Sequence, residues 1–130
     1  MRAAIADTDV DRPLVLIAED EAIIAIELID GLSDAGFAIA GPFSTCAEAD
    51  AWLATGAPDA ALVDNVLKDG PCDGLIRELS LRRIPTLIFS GRDQRVAASA
   101  DAKAVWIPKP TAFPQLLTIL RREMALRRGP

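Results

Sequence analysis

The chain has no histidine among its 130 residues. Both the commonest general base and the usual nitrogen ligand of zinc are therefore missing, and any active site must be built from carboxylates, hydroxyls and lysine. Cysteine is scarce too. Cys46 and Cys72 stand 26 residues apart in no metal or redox spacing, and two cysteines cannot form the framework of a disulfide-rich secreted domain. They read as two reduced thiols in a cytoplasmic protein. Charges break every apolar run well before a bilayer could be spanned, so no membrane helix is expected. Residues 1–12 carry three aspartates and lack the basic end and apolar run of a secretory signal; they read as a flexible N-terminal tail. A net charge of −5 repels phosphate backbones, and the basic residues gather into no aromatic-studded stripe, which argues against nucleic-acid binding.

What is present is a chain 51% hydrophobic, long enough for one compact domain and too short for two. That domain is expected over 13–127, with 128–130 as a C-terminal tail. Five short apolar runs, at 14–18, 37–40, 60–63, 86–89 and 104–107, have the continuous hydrophobicity of buried parallel strands. Helical spacing fills the gaps at 21–35, 45–55, 73–83, 92–101 and 114–127. The alternation predicts a doubly wound α/β fold, a five-stranded parallel sheet flanked by helices. Thr45 and Glu48 are spaced as a capping box, and Pro114 suits a first helical turn. The helix over 92–101 is the slightest, being alanine-rich and nearly devoid of large apolar side chains.

In such sheets ligands gather at the carboxyl ends of the strands, beside the point where strand order reverses. The first run ends in Glu19-Asp20-Glu21, the third in Asp64, the fourth in Ser90-Gly91 and the fifth in Lys109-Pro110. Glu19, Asp20 and Asp64 would be neighbours, and three carboxylates together repel unless something positive sits among them. Magnesium, or manganese, suits carboxylate oxygens and pairs with phosphate groups. Lys109 supplies further positive charge.

Four segments in this order, Leu14-Val-Leu-Ile-Ala-Glu-Asp-Glu21, Ala61-Leu-Val-Asp64, Pro85-Thr-Leu-Ile-Phe-Ser-Gly91 and Trp106-Ile-Pro-Lys-Pro110, resemble the receiver domains of bacterial two-component response regulators. The resemblance covers roughly 13–127. It implies the flavodoxin-like strand order 2-1-3-4-5. It also implies Asp64 as phosphoacceptor, with Glu19, Asp20, Asp64 and the Val66 backbone carbonyl on the metal. Ser90 and Lys109 would contact the phosphoryl group, the Lys109-Pro110 bond would be cis, and Ser90 and Trp106 would form the switch. The phosphoryl donor would be a histidine kinase or a histidine phosphotransfer protein, and the signal would pass to a downstream protein target. Such a domain, a monomer or weak dimer without an output module, assists its own phosphorylation and dephosphorylation but does not turn over external substrate.

Some features depart from the family pattern. Glu19 stands where aspartate is usual, the loop from Asn65 to Gly74 is long and lacks a common proline, and the stretch from Ser90 to Lys109 is short. Pro108 beside Lys109 is tolerable only if the fifth strand lies at the sheet edge. On the first helix Ile24, Ala25, Leu28, Ile29 and Leu32 form the stripe that should face the sheet, leaving Ile23 and Ile26 outside it. With Pro110, those two form a candidate docking patch for the phosphoryl donor. Two other readings compete: a scaffold that binds partners without phosphorylation, and a magnesium-dependent phosphohydrolase. The second lacks both an aspartate two residues after Asp64 and a cap domain.

Overall fold

The computed structural model describes residues 12–90, 104–109 and 111–128. Five parallel strands form the main sheet: β1 (Leu14–Ala18), β2 (Ala38–Phe43), β3 (Ala60–Asp64), β6 (Thr86–Ser90) and β7 (Val105–Pro108). A small antiparallel hairpin, β4 (Val66–Leu67) and β5 (Gly70–Pro71), follows β3. The described helices are α1 (Ala22–Asp34), α2 (Cys46–Leu53), α3 (Asp73–Leu81) and α4 (Phe113–Arg128). The helix expected over 92–101 lies outside the described residues, as do Pro110 and its peptide bond to Lys109.

The main sheet runs β2-β1-β3-β6-β7, which is order 2-1-3-4-5 when only its own strands are counted. Every residue of β3 is buried, as a central parallel strand covered on both faces requires. Side chains alternate between two cores. Val15, Ile17 and Leu62 face α1 and α4, where Leu32 and Leu120 meet them. Leu16, Ala61 and Val63 face α2 and α3, against Leu53, Leu75 and Leu79. Each fully buried aliphatic side chain contributes roughly 1.5–3 kcal/mol, so the two cores together carry most of the drive to fold.

The expected stripe of α1 faces the sheet, with Ala25, Leu28 and Leu32 buried and Ile24 and Ile29 partly so. At α2 the Glu48 amide donates to Thr45 Oγ1 at 3.0 Å, but the returning Glu48 carboxylate accepts from the amide of Ser44, one residue further out, at 3.1 Å. β7 is the edge strand, which accommodates Pro108 without losing an inner ladder bond.

One expectation is overturned. Cys46 and Cys72 are not separate thiols but a disulfide, with Cα atoms 5.6 Å apart. Their spacing conceals this because β2 and β3 are both parallel strands, so the segments leaving their carboxyl ends emerge on the same edge of the sheet.

Gly31 of α1 lies against the Phe113 ring of α4, where an added Cβ would come within 2.6–2.8 Å of three ring atoms. Alanine would gain about 1 kcal/mol of helix propensity, whereas overpacking costs about 1–3 kcal/mol. Because three atoms of the ring edge are met, the Phe113 ring must shift against its neighbours. Gly31→Ala is expected to lose about 1 kcal/mol net in urea unfolding; a gain would show that Phe113 yields freely.

Candidate functional site

The carboxyl ends of β1, β3 and β7 bring five charged side chains to one rim. Register alone dictates much of this: Ala18 pairs with Val63, so the residues that follow, Glu19 and Asp64, leave the sheet side by side. Oxygens of Glu19, Asp20 and Asp64 lie within 4.8 Å of one another. At that spacing two like charges repel by on the order of 3 kcal/mol at an effective dielectric near 20.

Lys109 answers part of that repulsion. Its Nζ donates to Asp64 Oδ2 at 2.8 Å and to Glu21 Oε1 at 3.4 Å, and stands 3.6 Å from Glu19 Oε1. The Asp64 side chain is 8% exposed and that of Glu19 is 1% exposed, so these charges have little water to share. Burial depresses the Lys109 ammonium, but the hydrogen bond and charge of Asp64, with Glu19 and Glu21 behind it, outweigh that and raise it overall.

Glu19 carries the residual strain of the cluster. One oxygen, Oε2, accepts from the Glu21 amide at 3.0 Å, while Oε1 is buried without a hydrogen-bond partner among the described residues. Burial, followed by the neighbouring Asp64 charge, pushes the Glu19 carboxyl from its ordinary 4.5 up to about 7 despite the Glu21 amide and Lys109. An unpartnered buried oxygen beside two more carboxylates fits a hard divalent cation: oxygen donors converge and one lone pair has no other use. Glu19, Asp20 and Asp64 are the residues that could hold it.

On its other oxygen, Oδ1, Asp64 accepts from the Val66 amide at 3.3 Å, and the Asn65 carbonyl accepts from the Cys72 amide at 3.0 Å. The long loop is thus a folded hairpin. Its tip is fastened outward too, since the Asp69 carboxylate accepts from the amides of Cys46 and Ala47 at 2.7 and 3.1 Å, capping α2. Those amides hold the Asp69 carboxyl below its usual range.

Ser90 ends β6 opposite Pro108; its side chain lies outside the described atoms. Trp106 pairs with Ile88, and its partly buried ring packs on the α2/α3 core. Ile23 and Ile26 are 75% and 57% exposed on α1. Two participants escape sequence reasoning. Glu21 joins Lys109, and Asp69 caps α2 from across the end of the sheet.

No family model matches the chain. A response regulator receiver protein from Sinorhizobium medicae superimposes with a TM-score of 0.78 at 25% identity, covering 91% of this chain and 98% of that one. The chain has the fold of a receiver domain. The receiver domain of a sensor histidine kinase from Pseudomonas aeruginosa, with magnesium coordinated in its active-site cleft, also aligns, at TM-score 0.78 and 19% identity over 88% of this chain and 98% of that one. Among curated proteins, the DNA-binding transcriptional regulator NtrC of Rhizobium meliloti is 28% identical over 116 residues, 85% of this chain. The chain spans 24% of that regulator's length. In the receiver fold the acidic rim is the place where strand order reverses, between β1 and β3. Among the described residues no helix is long and apolar enough to cross a membrane.

The raised Glu19 carboxyl gives a signed pH dependence. Between about pH 4.5 and 7 the folded protein holds a proton that the unfolded chain has released, so this contribution is full below 4.5 and is lost as pH rises through 7. Without divalent cations, stability should fall across that window. Glu19→Gln should remove the fall and exceed the wild type by about 2–3 kcal/mol at pH 8 in urea unfolding. Parallel pH profiles would contradict this account of Glu19.

Proposed function

We propose that the chain accepts a phosphoryl group on Asp64 from a phosphohistidine of a histidine kinase or histidine phosphotransfer protein, and signals through protein contacts. The observation that carries this reading is the 2.8 Å contact of Lys109 Nζ with Asp64 Oδ2 inside a rim of three converging carboxylates. An Asp64 oxygen forms the new bond to phosphorus, the bond from phosphorus to the donor's imidazole nitrogen breaks, and the nitrogen keeps the electron pair. Lys109 stands ready to neutralise charge on the transferring oxygens. Glu19, Asp20, Asp64 and the Val66 carbonyl would hold magnesium or manganese, which when bound offsets phosphoryl charge and carboxylate repulsion. The magnesium of the Pseudomonas aeruginosa receiver supports that choice.

Ser90 would turn toward the phosphoryl oxygens, and Trp106 would carry the change to the protein surface. Ile23 and Ile26, exposed on α1 beside the rim, with Pro110, would dock the donor. The protein would act in the cytoplasm, where such donors present their phosphohistidines, and the domain would turn over no external substrate.

Incubation with acetyl phosphate and magnesium should add one phosphoryl group by intact mass to the wild type and none to Asp64→Asn. Lys109→Ala should slow the gain roughly ten- to hundredfold. No gain in the wild type, with acetyl phosphate or with candidate kinases, would favour a constitutive scaffold. Ile23→Glu with Ile26→Glu should impair transfer from the cognate donor yet leave labelling by acetyl phosphate intact. Unimpaired transfer from that donor would remove the docking patch.

A further inference from the structure

We propose that Cys46 and Cys72 are a reversible oxidation site whose disulfide restrains the hairpin that follows the acceptor. The bond joins the first residue of α2 to the residue before α3, across the carboxyl ends of β2 and β3. Its Cα separation of 5.6 Å is one that a disulfide spans without backbone movement. The segment it closes leads straight back to the site, because the Cys72 amide donates to the carbonyl of Asn65, the residue after Asp64.

The two sulfurs differ in access. Cys46 is half-buried at the surface, whereas Cys72 is 1% exposed. That asymmetry assigns the order of exchange. A low-molecular-weight disulfide meets Cys46 first: the Cys46 thiolate attacks one of its sulfurs and releases one thiolate, leaving a mixed disulfide. Cys72, having lost its proton, then attacks the Cys46 sulfur and displaces the second thiolate. Two protein thiols are oxidised, and one external disulfide is reduced to two thiols. A dithiol reductant reverses this by attacking the more accessible Cys46 sulfur, with Cys72 leaving.

The reduced state is also provided for. The Gly70 carbonyl lies 3.5 Å from Cys46 Sγ and 4.0 Å from Cys72 Sγ, within reach of either thiol as a weak donor. Asp69 continues to cap α2, so the hairpin stays attached at its tip when the covalent tie opens. Reduction therefore loosens the hairpin without unfolding the domain. Disulfides of proteins in reducing compartments are usually of this transient kind.

The reading of Asp64 as acceptor gives the restraint its consequence, since Val66 sits in the restrained hairpin and its amide holds Asp64. The test does not depend on that reading. Wild type, Cys46→Ser and Cys72→Ser are equilibrated with glutathione at graded ratios of oxidised to reduced form, alkylated, and weighed. Amide hydrogen exchange over 66–72 is followed in parallel. The wild type should pass between two free thiols and none in a single transition, with exchange over 66–72 roughly tenfold faster when reduced. Both variants should show the fast exchange at every ratio. Thiols that stay free in excess oxidised glutathione, or exchange that is identical in the two states, would overturn the proposal. Loss of acetyl phosphate labelling in both redox states would instead count against the acceptor reading alone.

Discussion

The contact between Lys109 and Asp64 is the interaction on which the site depends, because it joins an edge strand to the central one across a crowd of negative charge. Lys109 leaves β7, Asp64 ends β3, and the two meet at 2.8 Å only because β6 lies between those strands in parallel register. Without the ammonium, Glu19 and Asp64 would be buried side by side with no positive partner among the described residues, an arrangement costing several kcal/mol. Even with it, compensation is incomplete. One lysine serves three carboxylates, and the raised Glu19 carboxyl registers the shortfall.

That shortfall gives the glutamate at position 19 a physical meaning. The side chain does two things at once: Oε2 turns back to cap the Glu21 amide, and Oε1 stays in the rim beside Lys109. Its longer stem allows both. Glu21 then carries its own carboxylate to the solvent side of the same ammonium. Three consecutive acids thus divide into a buried one that caps and faces inward, a half-buried one that adds an oxygen, and an exposed one that completes the lysine's shell.

The strands and the acidic rim were legible because burial leaves a trace in composition. A strand covered on both faces has no polar position to spare, so 14–18 and 60–63 stand out as unbroken apolar runs, and the first charge after each marks the site. The stripe of α1 and the edge position of β7, announced by Pro108, were legible for similar reasons. The strand order was not: alternation of strands and helices is compatible with several orders, and only resemblance to a family supplied this one. Also hidden were contacts between residues far apart in sequence but joined by the end of the sheet. Asp69 on the α2 amides and Cys46 on Cys72 are of this kind, for no local pattern in either segment announces the other.

Those two contacts change how the long loop after Asp64 must be understood. Ten residues between two regular elements would ordinarily be the softest part of such a rim, and their looseness would blur the position of Asp64. Here the segment turns on itself at Lys68 and Asp69, with Gly70 at φ +113° where other residues would be strained. It is then tied to α2 by a carboxylate cap at its tip and by a disulfide at its far end. In the chain-entropy account, closing the 26-residue separation between Cys46 and Cys72 stabilises by roughly 3.5 kcal/mol, against about 1 kcal/mol for a cap. The covalent tie is the stronger of the two and the one that a change of redox state can remove. The loop after Asp64 is therefore not a free one: its own residues supply the cysteine and the aspartate that anchor it, so its length carries its own restraint.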